Sequence, residues 1–148
     1  MGNGSVTSIG GAVSWSNYSD KRFKRNVKED VPGLGFVMQL RPVTYNFDVT
    51  ALDDHFNVPD SLRNSEFFVR SNAEKEAKIQ TGFITQEVEE AALAMGFEFS
   101  GVDKPQNDNG VYSLRYAEFV VPLVKAVQEQ QAIIKQLEAR IEELENNE

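Results

Sequence analysis

The sequence predicts a single α+β domain with a small antiparallel sheet, a polar hairpin projecting from residues 48–78 and a long C-terminal helix. Three observations support this prediction. The chain has 148 residues, 41% of them hydrophobic, which is enough for one compact core. Val43, Tyr45 and Phe47 alternate with polar residues, as in a half-buried strand. An apolar heptad repeat runs from Val120 almost to the end of the sequence.

Shorter patterns predict the remaining elements. Residues 67–69 are aromatic or β-branched and suggest a short strand within the projecting hairpin, and residues 81–84 suggest a second, buried strand. Residues 86–95 have helical composition. Their apolar members recur at helical spacing and are Val88, Ala91, Ala92 and Met95. Residues 107–110 are a turn signal before the apolar segment 111–114.

The C-terminal segment 120–148 is predicted to be a helix that associates with copies of itself. Its a and d positions form a seam of Val120, Leu123, Val127, Gln130, Ile134, Leu137, Ile141 and Leu144. Isoleucine at a with leucine at d slightly favours two strands, whereas the polar Gln130 at d is compatible with other states. The pattern therefore predicts self-association more securely than the number of chains. The alternative is that the helix folds back on its own domain.

The composition excludes several classes of site and partner. Without cysteine, the chain has no disulfide, no cysteine nucleophile and no cysteine-based zinc site. With one histidine, a His-rich metal site is also excluded, and residues 53–55 (Asp-Asp-His) are interpreted as a solvated turn. A net charge of −8 argues against nucleic-acid binding. The apolar runs are too short for membrane insertion, and no motif indicates a cofactor.

The chain is predicted to have three parts. Residues 1–18 are small, polar and glycine-rich, so we interpret them as the end of an upstream stalk. They lack the basic flank and apolar centre of a signal peptide. Residues 19–119 form the α+β core, and residues 120–148 form the coiled-coil helix. Because only 18 residues precede Ser19, we expect this chain to be the C-terminal piece of a longer protein.

One pair of residues has catalytic potential. Ser19 could act as a nucleophile if Lys24 were neutral enough to accept its proton. Five residues apart, the two side chains face opposite sides of a strand and lie about 140° apart around a helix. Contact therefore requires a turn, or a lysine from a neighbouring chain. The alternative interpretation is an ordinary helix cap at Ser19 or Asp20, followed by a solvated basic segment.

Four blocks of sequence resemble a known family, the endosialidase-type intramolecular chaperone domain, an auto-processing serine peptidase module. The first block is the motif S-D-x-R-x-K-x-x-[IV], present as Ser19, Asp20, Arg22, Lys24 and Val27. The others are LRPVTYNF at 40–47, GFITQEVE at 82–89, and Tyr116 followed by VKAVQEQ at 124–130. Phe23 and Thr85 depart from the family's usual leucine and alanine. The blocks occur in the family's order and extend over most of the chain.

The resemblance implies a homotrimer that helps an upstream stalk of the same polypeptide to fold and then releases itself. Carried over to this sequence, Ser19 is the nucleophile, Lys24 the general base and Tyr18–Ser19 the scissile bond. Asp20 and Arg22 belong to the motif without an assigned chemical step. The family occurs in phage tail spikes and fibres, in bacterial surface proteins and in a eukaryotic membrane-tethered transcription factor, so we expect a phage tail, virion or bacterial surface location.

Two other functions remain open at this point. One is a permanent trimeric tip of a fibre that never cleaves. The other is a receptor-binding tip, in which residues 48–78 recognise a host or surface ligand. General proteolysis of other proteins is the least favoured, because nothing in the sequence suggests a substrate groove.

Overall fold

A computed structural model describes residues 12–13 and 16–147. Its helices are α1 (Leu34–Val37), α2 (Val49–His55), α3 (Asp60–Arg63), α4 (Glu66–Glu76), α5 (Thr85–Ala94) and α6 (Val120–Glu145), with 3-10 helices at Lys21–Phe23 and Tyr116–Phe119. Its strands are β1 (Val43–Asn46), β2 (Ile79–Gly82), β3 (Val102–Asp103) and β4 (Ser113–Leu114). The predicted α+β class is confirmed. Most of the predicted stalk segment lies outside the described residues.

Two small antiparallel sheets hold the middle of the chain together. β1 pairs with β2, with Val43 opposite Gly82 and Tyr45 opposite Gln80. β3 pairs with β4 after the turn at residues 107–110, in which Gly110 N–H donates to the Asn107 carbonyl. The strand predicted at 81–84 begins and ends two residues earlier, and only its last residue is buried. Phe83 and Ile84 lead instead into α5.

The prediction of a hairpin within residues 48–78 is wrong, because this segment forms three helices. Asp48 caps α2 by accepting a hydrogen bond from Ala51 N–H, and Ser65 caps α4 by accepting one from Phe68 N–H. The strand predicted at 67–69 is the first turn of α4. Three aromatic and β-branched residues are a short signal, and the capping serine with the helix-forming residues that follow outweighs it.

The interpretation of residues 53–55 as a solvated turn is also wrong. These residues are the last turn of α2, and Asp53 is only 8% exposed. Asn72 on α4 donates a hydrogen bond of 2.7 Å to the Asp53 carboxylate. Asp53 therefore connects the two helices, which satisfies a polar group that would be costly to bury alone.

The core consists of aromatic rings packed on one face of α5. Its buried residues are Phe36, Val88, Ala91, Ala92, Phe99 and Phe119. The rings meet edge-on or tilted, with centroids 5.2 Å apart for Phe36 and Phe99 and 4.8 Å apart for Phe99 and Phe119. The helix predicted at 86–95 is confirmed, as is burial of three of its four apolar positions, whereas Met95 is 39% exposed.

One side of the first turns of α6 is attached to the domain by α1. Pro122 and Ala126 are buried there. Glu129 accepts a hydrogen bond of 2.7 Å from Leu34 N–H and so satisfies the free amide at the start of α1. The approach is close enough that a Cβ on Gly33 would lie 2.8 Å from the Ala126 nitrogen. Only glycine fits between the two helices at this position.

The predicted seam of α6 lies on a different side of the helix from this contact. Its seven apolar members are between 46% and 62% exposed in the single chain, and Gln130 is exposed too. From residue 130 to residue 147 every residue of the segment is exposed. The helix therefore folds back on its own domain only over its first turns and leaves the heptad seam uncovered.

Candidate active site

A single turn of 3-10 helix separates Ser19 from Lys24. Phe23 N–H donates to the Asp20 carbonyl at 3.0 Å, and Lys24 N–H donates to the Lys21 carbonyl at 3.2 Å. The backbone is extended on both sides of the turn, with ψ of 129° at Asp20 and 131° at Lys24. The two ends of the motif therefore leave the turn as extended segments, and their side chains can meet.

The structure brings the two predicted catalytic side chains into contact within one chain. Lys24 Nζ donates a hydrogen bond of 2.8 Å to Ser19 Oγ. Of the two ways in which these side chains could meet, the local turn is the one observed in this chain. If the amine is neutral, the same separation allows Nζ to accept the hydroxyl proton.

Asp20 and Arg22 make a second set of contacts inside the turn. The Asp20 carboxylate accepts hydrogen bonds from Arg22 N–H at 2.9 Å and from the Arg22 guanidinium, whose shortest contact is 2.7 Å from Nη2 to Oδ2. The guanidinium also lies over the Phe23 ring, 5.5 Å from its centroid. The Arg22 guanidinium, followed by its backbone N–H, holds the pKa of Asp20 below its usual value of 3.8, and Asp20 raises the pKa of Arg22.

The whole motif segment is open to solvent in the single chain. Every residue from 16 to 30 is exposed, among them the apolar side chains of Tyr18, Phe23 and Val27. Asn26 then bends the chain with φ of 52°, a conformation that asparagine tolerates better than most residues. Ser19 and Lys24 are thus in reach of each other on a surface that excludes no water.

Two other kinds of functional feature are absent from the described residues. Within them, no group of three histidine, aspartate or glutamate side chains is arranged to hold a metal ion, and no helix is both long and apolar enough to cross a membrane. Sequence reasoning did not identify two contacts: the Asp20–Arg22 ion pair within the motif, and the hydrogen bond of Glu129 with Leu34 N–H between α6 and α1. The adjacent Gly33 was the one available signal for the second, since a glycine before a helix permits a close approach.

Comparison with known proteins identifies the motif and the two blocks that follow it, at 40–47 and 82–89, and does not extend to the block at 116–130. A search among curated proteins finds no significant match to the chain. The profile of the family Peptidase_S74, described as chaperone of endosialidase, matches residues 19–97, which is just over half of the chain. The match begins at Ser19 and includes the motif, both strands of the first sheet and α5. This chain therefore belongs to the chaperone of endosialidase family.

Proposed function

We propose that this protein is a trimeric intramolecular chaperone that assists an upstream stalk of the same polypeptide and then cuts itself off before Ser19. Family membership supports the chaperone role and an association with phage tails. The observation that carries the proposal for self-cleavage is the contact of 2.8 Å between Lys24 Nζ and Ser19 Oγ. Both atoms belong to the residues that the motif assigns to base and nucleophile.

The cleavage proceeds through an ester. Ser19 Oγ attacks the carbonyl carbon of Tyr18 while its proton passes to Lys24 Nζ. The bond between the Tyr18 carbonyl carbon and the Ser19 nitrogen then breaks, and Lys24 returns the proton to the departing amine. Water hydrolyses the resulting ester, which leaves a carboxylate on Tyr18 and a free amine and hydroxyl on Ser19. Backbone N–H donors at the developing oxyanion would lower the barrier of the first step.

Assembly into a trimer would supply the burial of Lys24 that the single chain lacks. A lysine accepts a proton only in its neutral form, and burial favours that form. Because residues 16–30 are exposed in one chain, packing of three chains around the motif would remove water from Lys24. Covering this segment would also be favourable because it would remove the exposed apolar side chains of Tyr18, Phe23 and Val27 from water. Cutting would then follow folding and assembly of the stalk.

The trimer is proposed to form along α6. The heptad seam is exposed along its length, and the side that α1 covers does not include it. Self-association through the seam would bury seven apolar side chains per chain without disturbing the contact of Glu129 with Leu34. One side of α6 would thus pack against its own domain, and another side would pack against the other chains of the trimer.

The first experiment is intact-mass spectrometry of freshly purified protein under denaturing conditions. We expect the wild type to accumulate a species that begins at Ser19, and Ser19→Ala and Lys24→Ala to stay at full length. Lys21→Ala is the matched control, because it removes a cation from the same turn without touching either reacting atom. We expect it to cleave like the wild type.

Two outcomes would contradict this proposal. Full-length mass in every variant, persisting over days in a protein that is trimeric, would make the chain a permanent fibre tip, which is the main alternative. Cleavage of Lys24→Ala at the rate of the wild type would show that Lys24 is not the base and that another group accepts the proton.

A further inference from the structure

Asp20 and Arg22 close the turn that lies between the nucleophile and the base. We propose that this ion pair is the positioning device of the site: it holds the 3-10 turn so that Ser19 and Lys24 stay within reach. The inference rests on the self-cleavage proposed above and adds to it two residues with a stated task. Neither of them touches the reacting atoms, so both are positioning residues.

The spacing of the dyad makes such a device necessary. In an extended segment, residues five apart are separated by roughly 16 Å and point to opposite faces. In an α-helix they point about 140° apart. Only a tight turn with extended flanks brings Ser19 and Lys24 to a separation of 2.8 Å between Oγ and Nζ. The catalytic geometry therefore depends on whether this one turn is populated.

The turn has little backbone support of its own. It spans only Lys21–Phe23, it has two main-chain hydrogen bonds, and every residue around it is exposed. Short 3-10 segments have poor hydrogen-bond geometry, and ordering each residue costs about 1–2 kcal/mol in conformational entropy. No packing against the core stabilises this segment in the single chain, so its side chains decide how often the turn is formed.

Asp20, which precedes the turn, and Arg22, which lies in its middle, supply that support. Asp20 Oδ1 accepts from Arg22 N–H at 2.9 Å, which caps the helical turn at its start. The same carboxylate accepts from Arg22 Nε at 3.0 Å and from Nη2 at 2.7 Å, a two-pronged geometry that fixes the orientation of both side chains. The contact of the guanidinium with the Phe23 ring extends the support to the residue before Lys24.

The position of the pair distinguishes it from an ordinary surface salt bridge. An exposed ion pair contributes little to the stability of the single chain, so removing this one leaves the folded domain in place. The proposed trimer is held by the heptad seam of α6, which does not include this pair. The effect is local, because the pair spans the residues that connect the nucleophile to the base. Variants that lack the pair are therefore expected to cut themselves more slowly than wild type while their unfolding temperature stays the same.

The test compares Asp20→Ala, Asp20→Asn, Arg22→Ala and the double variant with wild type and with Lys21→Ala. The first-order cleavage rate is measured by intact mass, alongside the oligomeric mass and the unfolding temperature. We expect Asp20→Ala and Arg22→Ala each to cut about 10- to 100-fold more slowly, with unchanged mass and unfolding temperature. Asp20→Asn keeps the acceptor for Arg22 N–H and should recover part of the rate. The double variant should be no slower than either single one, because both remove the same interaction.

A second readout does not depend on cutting. In the wild type, nuclear Overhauser effects should connect the Lys24 side-chain methylene protons to the Ser19 Cβ protons, and in Asp20→Ala they should disappear. Cleavage of both alanine variants at the wild-type rate overturns the inference and leaves the proposed function intact. If the wild type itself does not cut, the proposed function fails, and retention of the Overhauser effects in Asp20→Ala then overturns the positioning role as well.

Discussion

At the scale of single residues, Gly82 is required because of a close contact and not because of an unusual backbone conformation. Gly82 ends β2 and is buried. A Cβ at this position would overlap the hydroxyl of Tyr116, which accepts a hydrogen bond of 3.2 Å from Phe83 N–H. Tyr116 and the segment that begins at Gly82 belong to separate sequence blocks, and this contact joins the entry of α5 to the segment leading into α6.

The contact at Gly82 gives a residue-scale prediction. Gly82→Ala should lower the free energy of unfolding by about 1–3 kcal/mol, because Tyr116 must move and its hydrogen bond to Phe83 is lost. In the Tyr116→Phe background the hydroxyl that the added methyl group would meet is absent, so the same substitution should cost less. Urea unfolding of the two single variants and the double variant measures this difference. Equal costs of Gly82→Ala in both backgrounds would show that the overlap is not what keeps glycine there.

At the scale of secondary-structure elements, charged contacts attach the excursion between β3 and β4 to α5. Lys104, near the start of this excursion, forms an ion pair with Glu89 on α5, and Tyr112, near its end, hydrogen bonds to the same carboxylate. The hydrogen bond from Lys104, and after it the one from Tyr112, hold the pKa of Glu89 below its usual value of 4.5. Glu89 in turn raises the pKa values of Lys104 and Tyr112.

These shifts predict how stability depends on pH. A carboxyl whose pKa is lower in the folded state stabilises the fold fully above its unfolded value, here 4.5, and loses that contribution as the pH falls through the folded value. Glu89→Gln should therefore be less stable than wild type at pH 7, and the difference should shrink as the pH falls below 4.5. Urea unfolding at a series of pH values is the measurement, with Glu90→Gln on the same helix as the control. A difference that stays constant down to about pH 3 would contradict this assignment.

At the scale of the whole molecule, two sides of α6 have different surroundings. One side is buried by α1 at Pro122 and Ala126, and the seam is exposed as far as Leu144. Beyond Glu129 the helix contributes nothing to the core of its own chain, since residues 130–147 are all exposed. The distal half can therefore be altered without affecting the fold of the domain.

This division predicts the outcome of charge substitutions on α6. Ile134→Glu with Ile141→Glu places charge at two a positions and should convert the proposed trimer to a monomer with a folded domain. Ala132→Glu with Ala139→Glu adds the same charge at two f positions and should leave the oligomer unchanged. Analytical ultracentrifugation gives the mass, and circular dichroism reports the fold. A monomeric variant that still cut itself at the wild-type rate would refute the coupling of cleavage to assembly.

The parts of this protein that the sequence determined are those encoded in local patterns. Alternation predicted that β1 is a strand, helical spacing predicted the buried face of α5, and the heptad repeat predicted the extent of α6, because each periodicity repeats with the geometry of its element. The half-burial predicted for β1 is wrong, since Tyr45 is 38% and Phe47 44% exposed. The aromatic residues 67–69 failed as a strand signal because a capping serine and helix-forming neighbours decided the segment. Ser19 and Lys24 were recognisable as a motif, but their spacing left contact undecided.

The tertiary structure decided the rest, because those features depend on contacts between residues that no periodicity links. The burial of Asp53 requires Asn72 on another helix, and the anchoring of α6 requires the Leu34 amide and the missing Cβ of Gly33. The contact of Ser19 with Lys24 is local in sequence but depends on a single turn whose hydrogen bonds close in three dimensions. Sequence patterns record which side of an element is apolar, whereas tertiary packing decides whether that side is covered and by which partner.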